Sequence, residues 1–275
     1  MKMRLPRTMT LPEIEARLAA AGVDSPSFDA LELVARFEGI SRAAARIGGD
    51  FTSPALRAAV ERRCRREPLA YILGEWDFMG YSFHLSPDTL IPRSDTELLC
   101  SLLIRELPAG GRFADLCTGS GCIALAALLK REDAAGVGVE LYPRTLKVAR
   151  ENAMLHGVEQ RLELLQGDVC TMELPGTFDW IVSNPPYVTA QEMQTLSPEV
   201  QKEPACALTD GGDGLHFYRS IFSRMPRFLR PGGTLAVEIG WQQGDAVCAI
   251  ARAAGLEPVV IQDLEGRDRV VRTQI

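Results

Sequence analysis

Apolar residues recur at helical spacing in the first part of the chain. Leu11, Ile14, Leu18 and Ala21 fall three or four positions apart, which puts them on one face of a helix. Thr10 stands before that run, with Pro12 in the first turn and Glu13 three residues on, a start signal in which hydroxyl and carboxylate satisfy free amide groups. Further helical runs are expected over 27–34, 41–47 and 53–66, separated by Gly-, Ser- and Pro-containing turns. From about residue 11 to 67 the chain therefore reads as a small helical bundle. The pattern then changes. Phe78, Gly80 and Ser82 alternate with Met79, Tyr81 and Phe83, the two-residue period of a β-hairpin. A helix over 98–107 follows. Beyond it, short apolar runs at 113–116, 135–140, 162–165, 180–183 and 234–240 alternate with helical stretches at 122–129, 143–156, 215–229 and 242–254. Two more strand-like runs, 258–264 and 269–273, close the chain. Strands alternating with helices predict an α/β fold with a doubly wound, mainly parallel sheet, here of seven strands. The expected boundaries are 1–73 for the helical domain, 74–93 for a hairpin linker and 94–275 for the sheet domain. Residues 201–213 read as a long loop, a candidate lid.

Composition narrows the classes. The chain has 275 residues, 46% of them hydrophobic and 24% charged, enough for a sizeable core. Its net charge of −6 argues against a general nucleic-acid binder. The basic run Arg62-Arg63-Cys64-Arg65-Arg66 is short and reads as a solvated helix face. The seven cysteines form no C-x-x-C pair and no Cys/His cluster, so buried free thiols are expected and no metal site. No signal-peptide pattern and no membrane-length apolar run is seen, and the chain is expected to be cytoplasmic. His84, His156 and His216 stand apart from one another and are expected to be surface or packing residues.

Chemistry concentrates at strand ends. The strand over 180–183 runs into Asn184-Pro185-Pro186-Tyr187, where the prolines end it and hold Asn184 extended. A corner of this kind at a strand's carboxyl end is where open α/β sheets bind ligands. It offers an amide oxygen, the Pro185 carbonyl and an aromatic face, a set suited to a flat, conjugated –NH2 group. Such a nitrogen is a poor nucleophile because its lone pair is delocalised. Two acceptors on its N–H bonds would turn the lone pair towards an electrophile, so that catalysis is largely positioning. Earlier, Cys117-Thr118-Gly119-Ser120-Gly121 joins a strand to a helix, where glycines let the backbone approach a ligand closely. The third glycine of the dinucleotide fingerprint is absent, which argues against a nicotinamide cofactor. Glu140 ends the next strand about twenty residues later, a position suited to a ribose diol, though an ordinary strand-end acid is the alternative. Asp168 and Val169 follow the third strand and are candidates for a base. Arg93 and Glu97 could face the site or pair with each other.

Together, Asp115 to Gly121, Glu140, Asp168 and Asn184 to Tyr187 resemble the class I S-adenosylmethionine-dependent methyltransferases. More narrowly the chain resembles the HemK/PrmC family, which methylates the glutamine of the Gly-Gly-Gln tripeptide in peptide chain release factors. The resemblance runs over nearly the whole chain and includes residues 90–97, Glu203-Pro204, residues 212–215 and Glu238-Ile239-Gly240. It departs at Cys117, where a glycine is usual, and at Ser94-Asp95, where Pro-Glu is common; Glu140 stands where Asp is also common. The resemblance implies a seven-stranded class I methyltransferase sheet with a small N-terminal helical domain, and S-adenosyl-L-methionine as cofactor with S-adenosyl-L-homocysteine as product. It implies that the backbone of Cys117, Thr118, Gly119, Ser120 and Gly121 wraps the methionine part, with Glu140 on the ribose and Asp168 and Val169 by the adenine. Asn184 would touch both cofactor and substrate. Asn184 and Pro185 would accept from the substrate amide, with Pro186 and Tyr187 beside it. The implied partner is a release factor presenting its Gly-Gly-Gln loop, without direct nucleic-acid or membrane contact, to a monomeric enzyme. Two alternatives share the Asn-Pro-Pro-Tyr corner: a glutamine methyltransferase acting on a ribosomal protein, and a DNA adenine methyltransferase acting on a flipped base. A non-catalytic cofactor-binding module would be expected to lose Asn184 while keeping Gly119 and Gly121.

Overall fold

The computed structural model describes residues 8–275. Residues 1–7, with which the expected 1–73 domain begins, lie outside the described residues. The described chain divides into two compact units: residues 8–75 with Ser197–Lys202, and the remainder.

The first unit is built from α1 (Leu11–Ala20), α2 (Pro26–Glu38), α3 (Arg42–Ile47), α4 (Pro54–Cys64) and α5 (Leu69–Leu73). The start signal at Thr10 forms as a capping box, with the Thr10 amide donating to Glu13 Oε2 at 2.8 Å. Ile14, Leu18, Leu33, Val34, Leu56 and Val60 are fully buried and form the bundle's interior. The basic run does not behave as a solvated face. Arg63 is buried, donating to Asp29 at 2.6 Å and to Glu199 at 2.8 Å, and Arg66 holds the same Glu199 through two further bonds. Arg62 pairs with Glu67. Arginine's planar fork allows one side chain to bridge two carboxylates, and this is what draws 197–202 onto the helices.

In the second unit, which begins at Trp76 within β1 (Glu75–Phe78), that strand and β2 (Tyr81–His84) form the expected hairpin. Its turn is tight, with Met79 at φ 53° and Gly80 at φ 84°, the two positive angles that match the twist of the flanking strands. Phe78 and Phe83 are buried in the core of this unit. There follow α6 (Thr96–Glu106), β3 (Arg112–Leu116), α7 (Cys122–Lys130), β4 (Ala135–Glu140), α8 (Pro143–Leu155), β5 (Leu162–Gln166) and β6 (Phe178–Ser183). Then come α9 (Ala205–Leu208), α10 (His216–Arg224), β7 (Leu229–Glu238), α11 (Gly244–Ala253), β8 (Pro258–Gln262) and β9 (Asp268–Gln274). Seven strands form one sheet in the order β5-β4-β3-β6-β7-β9-β8. All pairs are parallel except those of β9, which runs against both β7 and β8. Side chains alternate across it: Trp180 and Val182 enter one core layer, and Ile181 the other with Tyr218, Phe222 and Val247.

Three expectations need correction. The helix expected over 215–229 stops at Arg224 and continues as a 3-10 turn over Met225–Phe228, since Pro226 cannot donate the bond that would extend it. The segment 201–213 is not a bare loop. It carries α9, Thr209 bridges Val188, and Asp210 accepts from the amides of Gly212, Gly214 and His216. The cysteines are all free, but Cys206 is exposed and only Cys100 and Cys248 are buried.

Candidate active site

The sheet order fixes where a ligand can sit. From β3 the chain steps outward to β4 and β5, then returns to place β6 on the other side of β3. The reversal leaves a crevice beyond the carboxyl ends of β3 and β6, which are in register at Leu116 and Ser183. The Ser183 hydroxyl donates to the Leu116 carbonyl at 2.8 Å and locks the two ends together. The glycine turn and the Asn-Pro-Pro-Tyr corner thus leave adjacent strands.

The turn is shaped from within. Thr118 donates its hydroxyl to Asp115 Oδ2 at 2.6 Å and its amide to the Val139 carbonyl at 2.9 Å, so its side chain points into the protein. Asp115 is fully buried, and burial pushes its carboxyl up to about 7 against the pull of the Thr118 hydroxyl. Cys117 adopts φ 58°, a left-handed angle costing an L-residue about 1–2 kcal/mol. This explains why glycine is the usual residue there. Gly119 and Gly121 also have positive φ, 59° and 84°. A Cβ on Gly119 would meet nothing within 4 Å, whereas one on Gly121 would lie 3.0 Å from Leu125 Cδ1 and 3.4 Å from Ala149 Cβ. Gly119 leaves room on the ligand side; Gly121 lets α7 and α8 close up.

A cleft of about 680 Å³, open solvent included, lies over these strand ends. Cys117, Gly119, Glu140, Asp168, Val169, Asn184 and Pro186 line it. Glu140 is nine-tenths buried, accepting from the Gly119 amide at 3.1 Å and the Tyr142 amide at 3.0 Å. Burial raises its carboxyl while those amides pull it down. Each oxygen keeps a lone pair for a further donor, as a sugar diol would need. Asp168 accepts from the Cys170 amide through Oδ1 at 2.8 Å. Asn184 donates its Nδ2 to the Thr96 hydroxyl at 3.1 Å, which leaves Oδ1 as the open acceptor.

Not every anticipated residue lines the cleft. Thr118 and Ser120 are buried behind the turn, Gly121 caps α7, and Pro185 and Tyr187 are not among the lining residues. The Tyr187 hydroxyl donates instead to Glu238 Oε1 at 3.1 Å, and its backbone carbonyl accepts from Gln243 Nε2 at 3.0 Å. Arg93 and Glu97 do not pair with each other. Arg93 is bonded to Glu203, and Glu97 accepts from the Met79 amide. The apolar walls, Leu141, Tyr142, Ala207 and Phe217, were not anticipated. Leu141 and Tyr142, directly after an acid at a strand end, were the readable part of that signal.

The cleft fits a nucleoside-bearing ligand by its acceptors and its shape: an open space at Gly119, a carboxylate with free lone pairs at Glu140, a second at Asp168 beside Val169, and apolar walls. With the seven-stranded order and its one antiparallel member, this defines the class I methyltransferase architecture. A solved methyltransferase from Pyrococcus furiosus superposes with a TM-score of 0.54, at 18% identity over 70% of this chain and 87% of that one, a likeness of fold. Residues 94–216 match the family "Methyltransferase small domain" and residues 10–74 the "PrmC N-terminal domain". The release factor glutamine methyltransferase of Cereibacter sphaeroides is 44% identical over 94% of this chain and 95% of its own length. That of Rhodospirillum rubrum is 41% identical over 92% and 80%. The chain belongs to the release factor glutamine methyltransferase family.

Proposed function

We propose that this protein transfers a methyl group from S-adenosyl-L-methionine to the side-chain amide nitrogen of the glutamine in the Gly-Gly-Gln motif of peptide chain release factors. The observation that carries the reading is Asn184. It lines the cleft at the carboxyl end of β6, and its nitrogen is engaged by Thr96, so that the side chain offers an acceptor to the substrate.

Cys117 to Gly121, Glu140, Asp168 and Val169 would hold the cofactor, the first through its backbone and Glu140 through the ribose hydroxyls. When bound, S-adenosylmethionine supplies an electrophilic methyl; as the nitrogen–carbon bond forms, the sulfur–carbon electron pair stays on sulfur and S-adenosylhomocysteine is left. Asn184 Oδ1, which lines the cleft, accepts one N–H bond of the glutamine amide, and the carbonyl of the adjacent Pro185, itself not a lining residue, would accept the other. That turns its lone pair towards the methyl and away from conjugation. The nitrogen loses its extra proton to water, so the chain need supply no general base. Leu141, Tyr142 and Phe217 would wall the cofactor on its apolar side.

Residues 1–73 serve as a docking domain, followed by a hairpin at 74–93 and the methyltransferase domain at 94–275. The enzyme acts as a monomer on release factors in the cytoplasm, without direct contact to nucleic acid. The test is transfer of labelled methyl to a purified release factor, beside a copy with the tripeptide Gln changed to Ala, duplex DNA and a ribosomal-protein fraction. Label on the intact factor alone, lost in Asn184→Ala, supports substrate and site. Label on DNA or the ribosomal fraction instead overturns the substrate.

A further inference from the structure

Gln243 stands immediately before α11, where a side chain ordinarily caps the helix, yet it makes no capping bond. It reaches across to the Asn-Pro-Pro-Tyr corner instead. Its Oε1 accepts from the Gly240 amide at 3.0 Å, and its Nε2 donates to the Tyr187 carbonyl at 3.0 Å. Both partners are backbone groups, one able only to donate and the other only to accept, so the amide has a single satisfactory orientation. Gly214, at φ 72°, packs directly on the second bond: a Cβ there would lie 2.2 Å from the Tyr187 oxygen and 3.0 Å from Gln243 Nε2. We propose that Gln243 is a positioning residue for methyl transfer, holding the Tyr187–Val188 peptide so that the Pro185 carbonyl is aimed at the substrate amide.

The inference rests on the proposed roles of Asn184 and Pro185, and it follows from where the corner can be tied. Pro185 and Pro186 have no N–H, so neither can be held by donating a backbone bond. The Pro185 carbonyl must stay free if it is to accept from the substrate. Its direction is therefore set by the two ends of the segment. At one end the ladder pairs Ser183 with Val237, and the Ser183 hydroxyl is bonded to the Leu116 carbonyl. At the other, the Tyr187–Val188 peptide is held on both sides, its carbonyl by Gln243 and its N–H by the Leu208 carbonyl at 2.8 Å. Between these ends each proline ring fixes φ and each peptide is planar, so few rotations remain.

The two ends of the Gln243 amide do different things. Its acceptor turns back to Gly240, three residues away in its own loop, and only its donor reaches the corner. Without that donor the Tyr187 carbonyl loses its tie on the β7 side, and the remaining rotations of the corner are freed. A misplacement on the order of 1 Å can cost about 100-fold in rate, so the loss of one tie is readable in the chemical step. Binding of the cofactor, which the lining of the cleft assigns to the other strand ends, is left as it was.

The test measures the saturating single-turnover rate of methyl transfer to a release factor, the factor concentration that half-saturates it, and S-adenosylmethionine affinity, for the full chain and four variants. Gln243→Glu keeps the acceptor for Gly240 and loses the donor to Tyr187; Gln243→Met keeps neither; Gln243→Lys keeps a donor alone. Gln243→Glu and Gln243→Met are expected to lower the saturating rate fivefold or more, with half-saturation and cofactor affinity within twofold of wild type. Gln243→Lys should be at least threefold faster than either, since it restores the donor. A smaller fall in rate overturns the proposal, as does a loss carried by half-saturation or cofactor affinity, or Gln243→Lys as slow as Gln243→Glu. Should Gln243→Met fail to fold, the Glu and Lys variants decide alone. Asn184→Ala separates the two readings. If it keeps its rate, the reading of the corner fails; if it is inactive while the Gln243 variants keep the wild-type rate, only the positioning role fails.

Discussion

Gly119 and Gly121 stand two residues apart in one turn, yet replacing each with alanine should damage different properties. Both have left-handed backbone, so either alanine incurs about 1–2 kcal/mol. At Gly121 the new methyl also meets Leu125 Cδ1 at 3.0 Å and Ala149 Cβ at 3.4 Å, contacts that require α7 or α8 to shift. Crowding of that kind in a packed core costs a further amount of about 1–3 kcal/mol, for a total of about 2–5. At Gly119 the methyl meets no protein atom and occupies the cleft instead. Urea unfolding should therefore separate the variants by roughly 1–3 kcal/mol, with Gly121→Ala the less stable. Titration with S-adenosylmethionine should show the reverse order. Gly119→Ala should lose tenfold or more in affinity, and Gly121→Ala much less at temperatures where it is folded. Equal destabilisation by both, or full cofactor affinity in Gly119→Ala, would refute the assignment of one glycine to the ligand and the other to packing.

Other outcomes follow from the ion pairs and thiols. Arg63→Ala strands the buried Asp29, while Glu199 keeps its bonds to Arg66, and should destabilise the helical unit by roughly 3–5 kcal/mol in urea unfolding. Burial alone would raise Glu199, but bonds from Arg66 and Arg63 outweigh it and hold its carboxyl at about 2, below its ordinary 4.5. A depressed carboxylate stabilises fully above its unfolded pKa, so this contribution, at most about 3 kcal/mol, should be present above pH 4.5 and fade towards pH 2. Unfolding at pH 5 and pH 3 should show a larger loss in wild type than in Glu199→Gln; an equal loss would contradict the pairing. Cys206 is exposed and lines the cleft, so maleimide should label it ahead of buried Cys100 and Cys248, and S-adenosylhomocysteine should slow the labelling. Labelling that is indifferent to the ligand would place the cofactor elsewhere.

Much of the fold was legible because it rests on local periodicity. The change from a spacing of three or four to alternation, and then to short apolar runs between helices, marks the bundle, the hairpin and the sheet. What sequence missed was long-range. The run from Arg62 to Arg66 has the composition of a solvated face, but Asp29 and Glu199, the latter more than a hundred residues away in sequence, hold two of its arginines. The segment 201–213 has few apolar residues and reads as a loop, yet Asp210 orders it by accepting three backbone amides, which no periodicity reports.

The site divides along the same line. Asn-Pro-Pro-Tyr and the glycine turn were readable because their chemistry is written in consecutive residues, and parallel pairing of β3 with β6 brings them together. Thr96 and Glu238 stand inside stretches that carried the resemblance, residues 90–97 and Glu238-Ile239-Gly240, but neither stretch says what its side chain meets. One is the first residue of a helix and the other the last of a strand, 142 positions apart in sequence (238 less 96), and each has an ordinary local reading. Thr96 accepts from Asn184 Nδ2 and Glu238 accepts from the Tyr187 hydroxyl, so each holds one side chain of the corner. A motif can specify which side chain meets the substrate, but the polarity of an amide is set by what lies behind it. In this chain that is the Thr96 hydroxyl, which takes the Asn184 nitrogen and leaves its oxygen open.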